Sequence, residues 1–346
     1  MIGEIAPARV DPATADRNFW TRYHELRRVR QEEVRPDEPL QPDPEVEAVL
    51  KRPDPFRINE WYEISSDRRM LSFYHGELVS ANNPEHATSK HLYDADFYVI
   101  PDARRQGIGR SWLPLIAERM RAHGCTTVSF WVEQDVGREF MNRVGADARL
   151  QEIESRLSLS ELDWSMVERW IAEGQARSPH TKLEIYDGQV PEDMWPDYAP
   201  QLASMLNTMP FEGLDHGEII ITPEMMAEWY ARLELSGEVQ ATVITREPDG
   251  VISGITDTTW AAYRRKIIQQ MFTGVRPSAR GRGIGKWIKA AMLLHLRDLH
   301  PDAEWVSTEN AGSNAPMLKI NRTLGFKPYR NGTAYQMSLE KLEARV

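Results

Sequence analysis

The chain has 346 residues, 41% of them hydrophobic and 27% charged. That is the composition of a globular protein with room for two domains. A formal net charge of −10 argues against nucleic acid as the main partner, and a single cysteine, Cys125, excludes an internal disulfide or a cysteine-held metal.

No apolar run approaches the roughly 18 residues of a membrane span. "MIGEIAPARVDPATADRNFW" lacks the apolar stretch of a signal peptide. The expected setting is therefore the reducing cytoplasm, with neither membrane nor metal.

Three strands come early: "WYEIS", "RMLSFYHGELVS" and "DADFYVI". The last runs into "YVIPDARRQGIGR" (98–110) and a helical pattern containing Pro114. Proline inside a helix costs ~3 kcal/mol, so this helix is expected to start late, near Ser111, or to kink. Next come "FWVEQD", with Glu133, and the helix end "NRVGA". "LDWSMVERWIAEGQA" predicts a helix with Trp164, Val167, Trp170 and Ile171 on one face and Asp163 as its cap. "RSPHT" breaks it before the strand "KLEIYDG".

Helices are expected over 192–206 and 223–235, then strands over 239–247, 250–260 and 266–275, with "PDG" as the first turn. "GVRPSARGRGIGK" (274–286) leads into a helix over 284–299 with Ile284, Ile288, Ala291 and Leu294 inward. The strand "AEWVSTE", the helix "NAPMLKINRTLG" stopped by Gly325, and the strand "TAYQMSLE" complete the pattern.

The two glycine- and arginine-rich phrases are one motif used twice. Val99, Pro101, Ala103, Arg104, Gly107, Ile108 and Gly109 each recur 176 positions later. Glu133 falls on Glu309 at the same offset, and "NRVGA" resembles "NRTLGF" at a slightly larger one. Three matches in order predict a duplicated domain: 1–160, a connecting helix and linker over 161–180, and 181–346.

A strand, a glycine-rich turn and an amphipathic helix form an anion cradle. Glycine lets the backbone approach a ligand closely, and the first helical turn offers free N–H groups at the positive end of its dipole. Arg280, Arg282 and Lys286 add charge there. The spacing fits neither a P-loop, since Lys286 is followed by Trp287, nor a dinucleotide fingerprint.

"V-x-P-x-x-R-G-x-G-I-G" after a strand resembles the acetyl-CoA pyrophosphate loop of the GNAT N-acetyltransferase superfamily, and "STENAGSNAPMLKINRTLGF" (307–326) resembles its next motif. The resemblance implies two tandem α/β domains, each a mixed, mostly antiparallel sheet flanked by helices. It implies transfer of an acetyl group from acetyl-CoA to the amine of a small molecule. The backbone near Gly274 and Val275 would face the acetyl and pantetheine portions, where the strand bulges. Arg280, Gly281, Arg282, Gly283, Ile284, Gly285 and Lys286 would hold the pyrophosphate. Asn314 reads equally as a pantetheine contact or as a helix cap.

Two positions depart from that pattern. The tyrosine that often serves the family as general acid is Asn321 here, and the usual glutamate base is Gln270. That leaves Glu309, Asp257 and two acids of the expected substrate loop, Glu212 and Asp215, with His216 beside them. In the first half the counterpart of Gln270 is Asp94. Its cradle would comprise Val99, Arg104, Arg105, Gln106, Gly107, Ile108, Gly109 and Arg110. With Pro114 and a shortened partner segment, this half reads as degenerate, binding cofactor at most. The active site is expected in the second half. The alternatives are an acyl-CoA-binding scaffold or regulator without turnover, and an enzyme for a longer acyl-CoA.

Overall fold

A computed structural model describes residues 6–66 and 68–346. They form two compact units that interleave in sequence. Unit 1 takes the residues up to Gln151, then Phe211–Glu218 and Gly332–Val346, and unit 2 takes Glu152–Pro210 and Ile219–Asn331.

Unit 1 begins with β1 (Ala8–Val10), α1 (Arg17–Val34), α2 (Asp43–Lys51), β2 (Arg57–Ser66), β3 (Arg69–Val79) and a short α3 (His86–Ser89). It continues with β4 (Leu92–Val99), α4 (Ile108–His123), β5 (Thr127–Val132) and α5 (Asp135–Val144). Asp16 starts α1 by accepting the Phe19 N–H at 2.8 Å. Phe19, Trp20 and Leu26 of that helix enter the same core as Trp112, Leu113 and Ile116 of α4. The strands follow in the order β1-β2-β3-β4-β5, antiparallel except for the parallel β4–β5 pair.

Next in the chain is β6 (Asp147–Ser158), whose residues from Glu152 onward belong to unit 2. Then come α6 (Trp164–Arg177), β7 (Lys182–Asp187), α7 (Trp195–Leu206), α8 (Pro223–Ser236), β8 (Glu238–Arg246) and β9 (Ile252–Ala261). The sequence closes with β10 (Ile267–Val275), α9 (Ile284–Leu299), β11 (Trp305–Ala311), α10 (Ala315–Leu324), β12 (Lys327–Ser338) and α11 (Leu339–Glu343). The sheet of unit 2 has the order β6-β11-β10-β9-β8-β7, with β10–β11 its parallel pair. Each unit is thus a mixed, mostly antiparallel sheet flanked by helices.

Asp163 caps α6 as the sequence predicts, accepting the Met166 N–H at 3.1 Å. Val167 and Trp170 are buried in the core shared with α9, where Gly174 lies too close to Trp287 to carry a Cβ. α4 starts at Ile108 and runs through Pro114, so the expected later start near Ser111 does not occur. The proline forfeits one helical bond, and burial of Trp112, Leu113, Ile116, Ala117 and Met120 holds the helix in place.

The last strand of each sheet comes from a distant part of the chain. Thr333–Ser338 of β12 pair antiparallel with β5, and Tyr335 and Met337 fill the core of unit 1. Glu152–Ser158 of β6 pair antiparallel with β11 and complete unit 2. The segment "TAYQMSLE" therefore closes the first sheet.

Candidate functional site: a wedge beside a glycine-arginine loop

In unit 1 the parallel pairing of β4 and β5 lasts only from Leu92–Thr127 to Asp94–Ser129. Beyond that fork the strands part, and a cavity of about 540 Å³ opens between them. Phe97, Phe130 and Phe140 form an apolar wall, with Phe97 edge-on to both others. The Ile100 N–H donates to the Leu71 carbonyl in β3. Alternation along the strand then turns the N–H groups of Val99 and Phe97 toward the opening.

The loop after β4 borders this cavity. A 3₁₀ turn, Pro101–Ala103, is followed by Arg104–Gly107 and by α4. Gly107 has φ +88° and Arg105 φ +61°. Two left-handed residues so close together turn successive N–H groups to one side. Among the described residues, the N–H groups of residues 105–109 have no partner, as expected of a loop entering a helix. Arg104 braces the loop: its Nε donates to the Val99 carbonyl at 3.0 Å, and its two Nη atoms donate to both oxygens of Glu33 in α1 at 2.7 and 2.6 Å. Gln106 donates to the Asp102 carbonyl. Ile108 is buried in the core.

Asp94 sits at the fork, opposite Glu77 of β3 and Ser129 of β5. Its side chain is exposed, and partial desolvation beside the neighbouring strands raises its carboxyl above the ordinary aspartate range, against the opposing pull of Arg57 and the Ser129 hydroxyl.

Unit 2 repeats the frame with different details. The parallel pairing of β10 and β11 ends at Gln270–Thr308. Against β9, β10 bulges between Gln270 and Thr273, so the irregularity centres on Met271 and Phe272, just before Gly274 and Val275. The loop again enters its helix through left-handed residues, Gly281 at φ +82° and Gly283 at φ +86°. Residues 281–285 likewise have N–H groups without partners among the described residues. The loop's cations are committed locally. Arg280 donates to the Val275 carbonyl and to Thr208, Arg282 donates to Glu247, Thr181 and Ser178, and Lys286 lies over the Trp170 ring at 4.7 Å. Gly285 is packed against Ile320 and Val275.

Asp257 and Asn321 are each engaged in hydrogen bonds of the unit 2 frame. Asp257 accepts the Phe272 N–H of the bulge at 2.7 Å and a Gln240 amide N–H at 3.3 Å, and burial pushes its carboxyl up to about 6. Gln270 donates to Thr256 and to the Asp257 carbonyl, which pins the same bulge. Asn321 is 2% exposed and donates to Asn310 at 2.6 Å. Glu309 is exposed on β11, opposite Glu154. Asn314 caps α10, accepting the Met317 N–H at 3.4 Å.

Glu212 and Asp215 belong to unit 1. Asp215 takes bonds from His91 and Thr127, and its backbone exchanges two bonds with Gln336. Glu212 is exposed, with φ +52°. His216 bonds to the Gly217 carbonyl and lies against Phe211. Glu33 and Arg345, both at the unit 1 loop or cavity, carry no motif that would single them out in the sequence.

The family model described as Acetyltransferase (GNAT) family matches residues 25–145, the stretch that builds the fork, loop and cavity of unit 1. No curated protein matches the chain in sequence. Among solved structures, it is similar to a tandem GNAT protein from the clavulanic acid biosynthesis pathway. That match has 19% identity and a TM-score of 0.74, covering 97% of this chain and 99% of that one. It is also similar to a GCN5-related N-acetyltransferase from Sphaerobacter thermophilus, at 14% identity and a TM-score of 0.61, covering 96% and 95%. The first copy is a domain of the acetyltransferase (GNAT) family, and the chain as a whole has the tandem GNAT fold. No helix among the described residues is long and apolar enough to cross a membrane.

Proposed function

We propose that this protein transfers an acetyl group from acetyl-CoA to the amine of a small molecule, and that unit 1 holds the acetyl-CoA. The observation that carries this reading is the cavity of about 540 Å³ opening where β4 and β5 part. Its mouth combines the unpartnered N–H groups of residues 105–109 with arginine side chains. These donors suit a diphosphate, and the apolar wall of Phe97, Phe130 and Phe140 suits a pantetheine arm. When bound, acetyl-CoA supplies an activated thioester. The chain's own residues orient it, exclude water along the wedge and take the proton released by the amine.

Asp94 is placed for that last task. It stands at the fork, where the two strands part, and partial desolvation there raises its carboxyl above the ordinary aspartate range. Calorimetry and thiol release over a panel of amines test the assignment. Gly107→Glu, which puts bulk and negative charge into the cradle, is expected to abolish acetyl-CoA binding and turnover. Asp94→Asn is expected to keep binding and lower kcat by about 10²-fold or more. Binding and turnover that survive Gly107→Glu would reject a unit 1 site.

A second reading places the active site in unit 2. It is favoured by the β10 bulge and by Asp257, pushed up to about 6 beside it. Gly283→Glu would then abolish turnover. Binding without thiol release against any amine would leave a non-catalytic acyl-CoA-binding scaffold or regulator, and a panel of acyl chain lengths separates acetyl from longer-chain transfer.

A further inference from the structure

The cavity of unit 1 is lined by six arginines, and they fall into two groups. Arg30 pairs with Asp96 at 3.4 Å, Arg104 with Glu33 and Arg105 with Glu139 at 3.3 Å. Arg110, Arg143 and Arg345 line the same cavity and have no carboxylate partner among the described residues. They come from three places in the chain: the first turn of α4, the last turn of α5, and the segment after α11.

Arg110 touches the segment that carries Arg345, and the Arg345 side chain reaches the end of the helix that carries Arg143. Arg110 Nη2 donates to the Arg345 carbonyl at 3.3 Å. The Arg345 guanidinium lies over Gly145, the C-cap of α5, where an added Cβ would stand 3.2 Å from Nη2. Arg143 is two residues before that glycine. Glycine at 145 thus gives the guanidinium its seat, and the α5 C-terminus favours a cation there. Three unpaired guanidinium groups in one cavity repel each other, and a multiply charged anion removes that cost. The free N–H groups of residues 105–109 already suit a diphosphate. A second anionic group on the same ligand, reached from the first turn of α4, is what the arginines fit.

We propose that Arg110, Arg143 and Arg345 bind the 3′-phosphomonoester of the CoA nucleotide and make the site select CoA over its 3′-dephospho form. This inference rests on the reading of the unit 1 cavity as the acyl-CoA site. A phosphomonoester carries about −1.5 to −2 charges at neutral pH, and planar guanidinium groups pair with its oxygens two at a time. Arg345 is the position to vary, because unlike Arg110 it lies outside the loop and the first turn of α4.

The test is calorimetric titration of the full chain with CoA and with 3′-dephospho-CoA. Wild-type protein is expected to prefer CoA by about tenfold or more. Arg345→Ala is expected to cut that preference by about fivefold, through weaker CoA binding alone. The unchanged affinity for 3′-dephospho-CoA reports that the variant is folded. Arg345→Lys is expected to recover part of the preference. A wild-type protein that does not discriminate, or an Arg345→Ala variant with an unchanged ratio, overturns the proposal. Gly107→Glu separates the two levels of argument. If CoA binding survives it, the unit 1 reading itself fails, whereas CoA binding lost in that variant but indifferent to the 3′-phosphate rejects only the arginine cluster.

Discussion

Arg104 and Glu33 are joined as fork to fork, Nη1 to Oε1 at 2.7 Å and Nη2 to Oε2 at 2.6 Å. The Tyr98 hydroxyl donates to the same carboxylate at 2.6 Å. The repeated arginine of the loop therefore faces α1 and acts as a brace, while the N–H groups of residues 105–109 stay unpartnered among the described residues. Glu33→Ala is expected to free the loop and weaken acetyl-CoA binding in unit 1 by roughly 3–10-fold, mostly in the off-rate. Stopped-flow binding reads this directly, and unchanged rates would show that the brace is not needed.

Arg105 and Gly281 occupy matching positions of the two loops and share the left-handed conformation, at φ +61° and +82°. Only the glycine adopts it freely. Arg105→Gly is expected to relieve strain of about 1 kcal/mol, partly offset by the freer unfolded chain. Denaturant melts of unit 1 should show a midpoint equal to or above wild type. A clear loss of stability would mean that the Arg105 side chain contributes more than its conformation costs.

Lys289 of α9 is 1% exposed, has no ion pair among the described residues, and lies 5.3 Å from the Phe326 ring. Burial lowers its ammonium to about 7, from an ordinary value of 10.5. The folded state thus favours the neutral amine, and stability is lost as pH falls from the unfolded value through the folded one. Lys289→Met is expected to stabilise unit 2 by about 2–4 kcal/mol near pH 6. The gain should shrink as pH rises toward 10. Chemical denaturation at several pH values checks it, and a gain independent of pH would rule out titration of Lys289 as the cause.

Asp257 behaves in the opposite sense. Its folded value, about 6, lies above the ordinary 3.8. Its contribution is therefore fully present below about 3.8 and is lost as pH rises through about 6. Asp257→Asn can still accept the Phe272 N–H, so it is expected to stabilise unit 2 by roughly 2 kcal/mol at pH 7.5 and to have little effect at pH 4. Paired melts at the two pH values decide this, and destabilisation at pH 7.5 would mean that the charged carboxylate is needed to hold the bulge.

The glycine-arginine loops were legible because they are local. A strand, a turn with fixed glycine positions and an amphipathic helix leave their signature within about thirty residues. The cap at Asp163 was legible for the same reason. The helices α1 and α2 and the strand β6 escaped notice, since α1 is charged over much of its length and β6 mixes apolar and charged positions. The partners of the site lie elsewhere in the chain. Nothing local to Glu33 announces Arg104, and nothing near Arg345 announces the cavity it lines. The destination of Thr333–Ser338 was equally hidden, because a strand's alternation fixes its faces and not its neighbour.

That last strand also sets an order of assembly. A ribosome makes every residue of unit 2, Glu152–Pro210 and Ile219–Asn331, before it reaches Gly332–Val346. The unit begun first is the one finished last. Until then β5 is a bare edge, open to pairing with another chain, and the places of Tyr335 and Met337 in the core stand empty. During synthesis, the nascent chain therefore exposes its first domain for longer than its second, the reverse of the usual N-terminal-first order.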